Sequence, residues 1–107
     1  METRRDVFQA IADPTRREII RVITEKNMTL NGVAELFDIS RQAISNHVKI
    51  LTECGLVIIN PKGRERYCAI NPETLKEVAT WVEPYKKLWE RRLDKLGGLL
   101  DELQTGN

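Results

Sequence analysis

At 107 residues and 41% hydrophobic content, the chain is long enough for one domain with its own core and short enough to gain from a partner subunit. No apolar run approaches the roughly 18 to 20 residues that cross a bilayer, and the start METRRDVFQ lacks the apolar stretch of a secretory signal, so no membrane partner and a cytoplasmic location are expected. The net charge of +1 is uneven: residues 1–37 carry six positive and six negative side chains, 38–68 five and three, and 69–107 six and seven, so only the middle is basic, enough for one local nucleic-acid patch.

Thr3 is placed to cap a first helix with Asp6 at its third position, and Val7, Phe8 and Ile11 give that helix an apolar stripe that should end near Ala12. Asp13-Pro14 starts the next, because Asp accepts from orphan amides and proline's fixed φ suits the first helical position. Ile19, Ile20 and Ile23 mark its buried face. Thr29 caps a short helix carrying Leu30, Val33, Ala34 and Phe37, after which Asp38-Ile39-Ser40 leaves room only for a tight turn.

Ser40 caps the helix in "SRQAISNHVKILTECGL". At 100° per residue Ile44, His47, Val48, Leu51 and Cys54 share one arc. Gln42, Ser45, Asn46, Lys49 and Glu53 share the opposite arc, and Gly55 ends the helix as a left-handed residue. Two short strands follow, residues 56–59 and 66–70, joined by Asn60-Pro61-Lys62-Gly63-Arg64-Glu65 as a basic hairpin tip. From Pro72 to Leu103 the pattern is helical again, with Pro84 expected to break or kink it and Gly97-Gly98 to weaken it.

Two helices across a three-residue turn, followed by a basic hairpin, describe a winged helix-turn-helix: mainly α, with five or six helices and a two-stranded antiparallel wing, in one domain over residues 1–107. The helix-turn-helix falls in 29–54 and the wing in 56–70. In that arrangement Arg41, Gln42, Ser45 and Asn46 reach base edges in a major groove, Arg suiting guanine and Gln or Asn adenine. Lys49 lies nearer phosphate, and Lys62, Arg64 and Arg66 follow the backbone.

The segments "DPTRREII", "SRQAISNHVKILTECGLV" and "GRERY", in that order, closely resemble the ArsR/SmtB-type winged-helix transcriptional regulators over roughly residues 5–75. The resemblance implies a homodimer that represses transcription, of its own or a neighbouring operon, from a palindromic operator and releases the DNA on a signal. It implies that the helices in 1–12 and 72–104 form the dimer interface, that Ser40 to Lys49, with Ser40 and His47 among them, are the recognition helix, and that Gly63, Arg64 and Tyr67 belong to the wing. Candidate interface residues are Val7, Phe8, Ile11, Trp81, Tyr85, Leu88, Trp89 and Leu96.

Metal-sensing members of such a family carry a C-x-C before the recognition helix or His and acidic ligands on the last helix, whereas this chain reads "VAELFDIS" in the first place and has no His in the second. His47 and Cys54 are seven residues apart, about 10 Å along a helix axis, too far for one ion. No metal or other cofactor is expected. His47 packs at the core edge or meets a phosphate, and both cysteines are reduced thiols in the core or a redox switch. Trp81, Tyr85 and Trp89, at i, i+4 and i+8, suit dimer packing, with an unidentified effector or partner protein as the other use of the stripe.

With one His and no phosphate loop or zincin motif, catalysis lacks an inventory and the chain is not read as an enzyme. The competing reading is a winged helix turned protein-interaction module, which salt dependence and sequence preference would distinguish from a DNA reader.

Overall fold

The computed structural model describes residues 6–105. The chain divides into two units, residues 1–77 and 78–107. In the first, helices α1 (Val7–Ala10), α2 (Pro14–Glu25), α3 (Leu30–Glu35) and α4 (Arg41–Glu53) combine with strands β1 (Met28–Thr29), β2 (Val57–Lys62) and β3 (Glu65–Ile70). Helix α5 (Pro72–Thr105) begins there and supplies the second unit.

Each helix start follows from one side chain. Asp13 Oδ1 accepts from the Thr15 and Arg16 amides at 2.8 and 3.1 Å, with Pro14 at the first helical position of α2. Thr29 Oγ1 accepts from Gly32 N and Ser40 Oγ from Ala43 N, both at 3.1 Å. The first helix differs from expectation: Asp6 is itself the cap, accepting from Gln9 N at 2.9 Å, so α1 spans four residues and closes at Ile11. Thr3, the expected cap, lies outside the described residues.

The end of α4 is set by Gly55 at φ +80. Gly55 N donates to Thr52 O at 3.0 Å and Leu56 N to Leu51 O at 2.9 Å, the paired bonds of a Schellman cap. The Gly55 carbonyl then accepts from Thr74 Oγ1 at 2.6 Å and Asn71 Nδ2 at 3.1 Å, while Asn71 Oδ1 takes the Glu73 amide at 3.2 Å. One glycine thus turns the chain into the sheet and also anchors the first turn of α5.

The sheet has three antiparallel strands in the order β1-β3-β2, one more than the expected wing, because Met28 and Thr29 pair with Cys68 and Tyr67. A two-residue strand carries no alternation for a sequence to show. The hairpin is also longer and its turn tighter than expected: Asn60-Pro61-Lys62 and Glu65 belong to the strands, and only Gly63-Arg64 turns, with Gly63 at φ +66 and Arg64 at negative φ, the signs of a type II′ turn. Pro61 is tolerated because β2 is the edge strand, where a missing N–H costs no ladder bond on the outer side.

The core of the first unit is Ile19 and Ile23 of α2, Val33 of α3, Ile44 and Leu51 of α4, Leu56 just before the sheet, and Val57 and Cys68 within it, with Val7 and Ala10 closing it. Fully burying each large aliphatic side chain contributes roughly 1.5–3 kcal/mol.

Of the break or kink expected at Pro84, the break with a new start near Glu83 does not occur: α5 is continuous through Pro84 and through Gly97-Gly98. Proline removes one N–H donor and crowds the preceding turn at a cost of about 3 kcal/mol. That penalty is local, and the apolar stripe keeps helical spacing on both sides, from Trp81 and Val82 to Leu88, Trp89 and Leu93.

Candidate nucleic-acid interface

The roll of α4 decides what it shows to solvent. Ile44, Val48 and Leu51 are buried at 0%, 6% and 0% exposure, so the opposite arc must face out. Arg41, Gln42, Asn46 and Lys49 are exposed, and Ser45 is half-buried at the border of that face. Ser40, the cap, is exposed at its head. Gln42 Nε2 donates to Asn46 Oδ1 at 3.2 Å, an i,i+4 bond that fixes the two amides relative to each other. Each amide retains donor and acceptor capacity beyond that bond, which is what a bidentate contact to adenine needs.

The wing residues divide between the two faces of the hairpin. Opposite partners share a face, so Arg66 with Pro61 and Cys68 with Ile59 point one way, and Lys62 with Glu65 and Asn60 with Tyr67 the other. Arg66 and Cys68 face α4, where they border a groove of about 560 Å³ with Ser45, Val48, Lys49 and Ile59. Lys62 instead lies beside Lys26, Asn60 and Tyr67. Arg64, at the tip, converges with Arg41 and Arg66 on a smaller cleft of about 300 Å³ next to Asn31. The basic residues of the middle segment are therefore gathered on the α4 side of the wing, with Lys62 as the exception.

His47 stands apart from the exposed set. It is half-buried, and its Nδ1 lies 3.5 Å from Arg16 Nη1 of α2. Arg16 has only 13% of its side chain exposed and also donates from Nε to Ala10 O at 2.7 Å and from Nη2 to Gln9 O at 3.1 Å. Arg16 thus ties the end of α1 to α2 and meets α4 at His47. Burial pushes the Asp13 carboxyl upward, but the Arg16 and Thr15 amides, with the charges of His47 and Arg16, outweigh it and hold the carboxyl below its ordinary value. Neither Arg16 nor Asn31, whose Oδ1 accepts from Arg41 Nε, stands out in the sequence, since both occupy ordinary polar helix positions.

Burial raises the Cys68 thiol, which lowers its thiolate fraction and its reactivity. Cys54 is half-buried. Among the described residues no three His, Cys, Asp or Glu side chains are grouped to hold a metal ion, and no helix is long and apolar enough to cross a membrane. The Tyr67 hydroxyl donates to Glu65 Oε2 at 2.8 Å, a bond that raises the phenol's pKa with help from the carboxylate charge.

The expected interface residues also separate. Val7 is buried at 2% in the chain's own core, and Phe8 and Ile11 are half-buried. In α5, Trp81, Tyr85, Leu88, Trp89 and Leu96 are exposed at 58%, 51%, 43%, 64% and 50%. Trp81 and Tyr85 pack against each other with ring centroids 5.2 Å apart.

Residues 11–59, which hold α2 through the start of β2, match the helix-turn-helix domain family. The chain is similar to the transcriptional repressor SdpR of Bacillus subtilis, at 36% identity over 77 residues that cover 72% of this chain and 86% of that one. The structure is similar to an ArsR-like transcriptional regulator from Rhodococcus sp. RHA1, with a TM-score of 0.67 at 32% identity, covering 87% and 88% of the two chains. A homodimeric winged helix-turn-helix DNA-binding domain from Mycobacterium bovis shares the fold, with a TM-score of 0.62 at 20% identity over 76% of this chain and 75% of the other.

Proposed function

The chain belongs to the ArsR/SmtB-type winged-helix transcriptional regulators, and from that premise we propose that it represses its own or a neighbouring operon as a homodimer on a palindromic operator. The family is one of DNA-binding regulators and not of enzymes. The observation that carries the reading is the outward face of α4: the buried Ile44, Val48 and Leu51 fix Gln42, Asn46 and Lys49 in the open, beside a wing whose Arg64 and Arg66 lie on the same side.

Gln42, Ser45 and Asn46 then read base edges, and Lys49 and the wing arginines meet phosphates. Lys62, on the far face of the hairpin, contributes less. The exposed stripe of α5 supports self-association, in keeping with the homodimeric state of the Mycobacterium bovis domain that shares the fold. Two copies place two recognition helices on one duplex, so the operator has inverted half-sites about one helical turn apart. The protein acts in the cytoplasm, and an effector or partner protein that binds one dimer state better than the other releases the DNA.

Selection of bound sequences from a random duplex pool tests this directly. The expected product is a pair of inverted half-sites, and Gln42→Ala or Asn46→Ala should lose preference at particular bases within each. A pool that stays random through successive rounds would remove the DNA-reading assignment.

A further inference from the structure

Arg41, Arg64 and Arg66 come from three different places, the head of α4, the tip of the wing and strand β3, yet they line one cleft of about 300 Å³ with Thr29, Asn31 and Glu65. Among the described residues, none of the three guanidinium groups has a carboxylate within 4.0 Å, the ion pairs being Arg16 with Asp13 and Arg21 with Glu18 and Glu25. The cleft's one carboxylate, Glu65, is engaged by the Tyr67 hydroxyl at 2.8 Å. Three like charges facing one small space repel one another, and an anion placed between them removes that penalty.

Arg41 is also held in a particular way. Its Nε donates to Asn31 Oδ1 across the helix-turn-helix, which leaves the two terminal nitrogens as a planar fork. That fork matches two oxygens of a phosphate and presents both donors at once. The cleft adjoins the reading face, since Arg41 precedes Gln42 and Arg66 also borders the groove beside Ser45 and Lys49.

We propose that this cleft clamps one phosphodiester of the DNA backbone, that Arg41 binds that phosphate instead of reading guanine as its position in the sequence suggests, and that Asn31 is the residue that positions it. The inference rests on the reading of α4 as the DNA-binding face and adds to it a fixed point: one phosphate gripped jointly by the recognition helix and the wing sets the depth at which Gln42 and Asn46 enter the groove. A phosphate contact orients without choosing sequence.

The test uses the full-length protein and a duplex bearing its selected site, in which single phosphates are replaced one at a time by neutral methylphosphonates. In the wild type, one position per half-site should cost about tenfold in affinity, as for removal of a charge-assisted hydrogen bond. In Arg41→Ala that position should become neutral, with the selected base preference unchanged and the slope of log affinity against log salt shallower by about 0.9 for each phosphate the variant no longer neutralises. Asn31→Asp, which sets a carboxylate where it competes with the phosphate for Arg41, should weaken binding more than Asn31→Ala at low salt, with both keeping the wild-type base preference.

An altered base preference in Arg41→Ala, or an identical phosphonate profile in Arg41→Ala and wild type, overturns the clamp while leaving the DNA-reading function in place. A wild type that selects no site overturns both.

Discussion

Helices α4 and α5 are both amphipathic, and they dispose of their apolar stripes in opposite ways. In α4, Ile44 and Leu51 are at 0% exposure, covered by α2, α3 and the sheet of the same chain. In α5, Trp81, Trp89 and Leu103 are at 58%, 64% and 72%, and the exposed stripe continues through Leu88, Leu93 and Leu96. The covered stripe fixes a polar face that can be aimed at a ligand. The uncovered one leaves an apolar face in the open, far more apolar than the scattered exposure that a monomer's surface carries, which the proposed dimer would bury. Periodicity marks a helix as two-faced, and only packing tells which face does the work.

The largest expected effect breaks the comparison at α5. A charge in its stripe, Trp89→Glu or Leu96→Glu, should convert the dimer to monomer in sedimentation equilibrium at micromolar protein. It should also weaken operator binding by roughly 10²-fold or more, because two tethered reading helices gain that order of avidity over one. A variant that stays dimeric with unchanged affinity would return α5 to the role of a solvent-exposed helix. On the α4 side, Leu51→Ala should cost about 2–5 kcal/mol of unfolding free energy by chemical denaturation, as expected for a cavity at a fully buried site, whereas Leu103→Ala, at 72% exposure, should leave the monomer's stability nearly unchanged.

The polar face of α4 should respond in base preference more than in stability. Gln42→Ala or Asn46→Ala should each weaken operator binding by about 1–3 kcal/mol in anisotropy titrations. Because the two amides are bonded to each other at 3.2 Å, the double variant should fall short of the sum of the singles. Additive losses would mean that they read DNA independently. The wing offers the contrasting result: Arg66→Ala, on the α4 side, should weaken binding alike on all sequences and flatten the salt slope by about 1, and Lys62→Ala, on the opposite face, should do so less.

The smallest effect concerns the Asp13 cap at the start of α2. Asp13 is held below its ordinary value of 3.8 in the folded chain, so its ionised form stabilises the fold above the unfolded value, and that stabilisation is lost as pH falls through the folded one. Asp13→Ala should therefore lower stability by about 1 kcal/mol at pH 7, as for other caps, and the gap to wild type should close below about pH 4. A gap independent of pH in thermal melts would show that the carboxylate charge contributes nothing.

Much of this architecture is legible in the chain because single residues dictate it. Asp13, Thr29 and Ser40 cap the helices that their positions predict, and Gly55 takes the left-handed conformation that ends α4. The stripe of Ile44, Val48 and Leu51 at helical spacing defines the outward face without any knowledge of the packing. What escapes a sequence depends on pairing between distant segments. Met28-Thr29 becomes a strand only because β3 offers it a partner, and Pro61 joins a strand only because that strand is an edge. The candidate site divides in the same way: the exposed amides of α4 follow from periodicity, but the meeting of Arg41 with Asn31, and of His47 with Arg16, depends on how helices cross.

The central claim is that the α4 face and the wing read DNA, and fluorescence anisotropy tests it most directly. Purified protein would be titrated against labelled duplex from upstream of its own reading frame and against a scrambled duplex, each at two salt concentrations. Tight binding to the upstream duplex, weaker binding to the scrambled one and a steep loss with salt in both are expected, since phosphate contacts supply affinity and base contacts the difference. Binding to neither duplex, or binding indifferent to both salt and sequence, would contradict the claim and leave the winged helix as a surface for another protein.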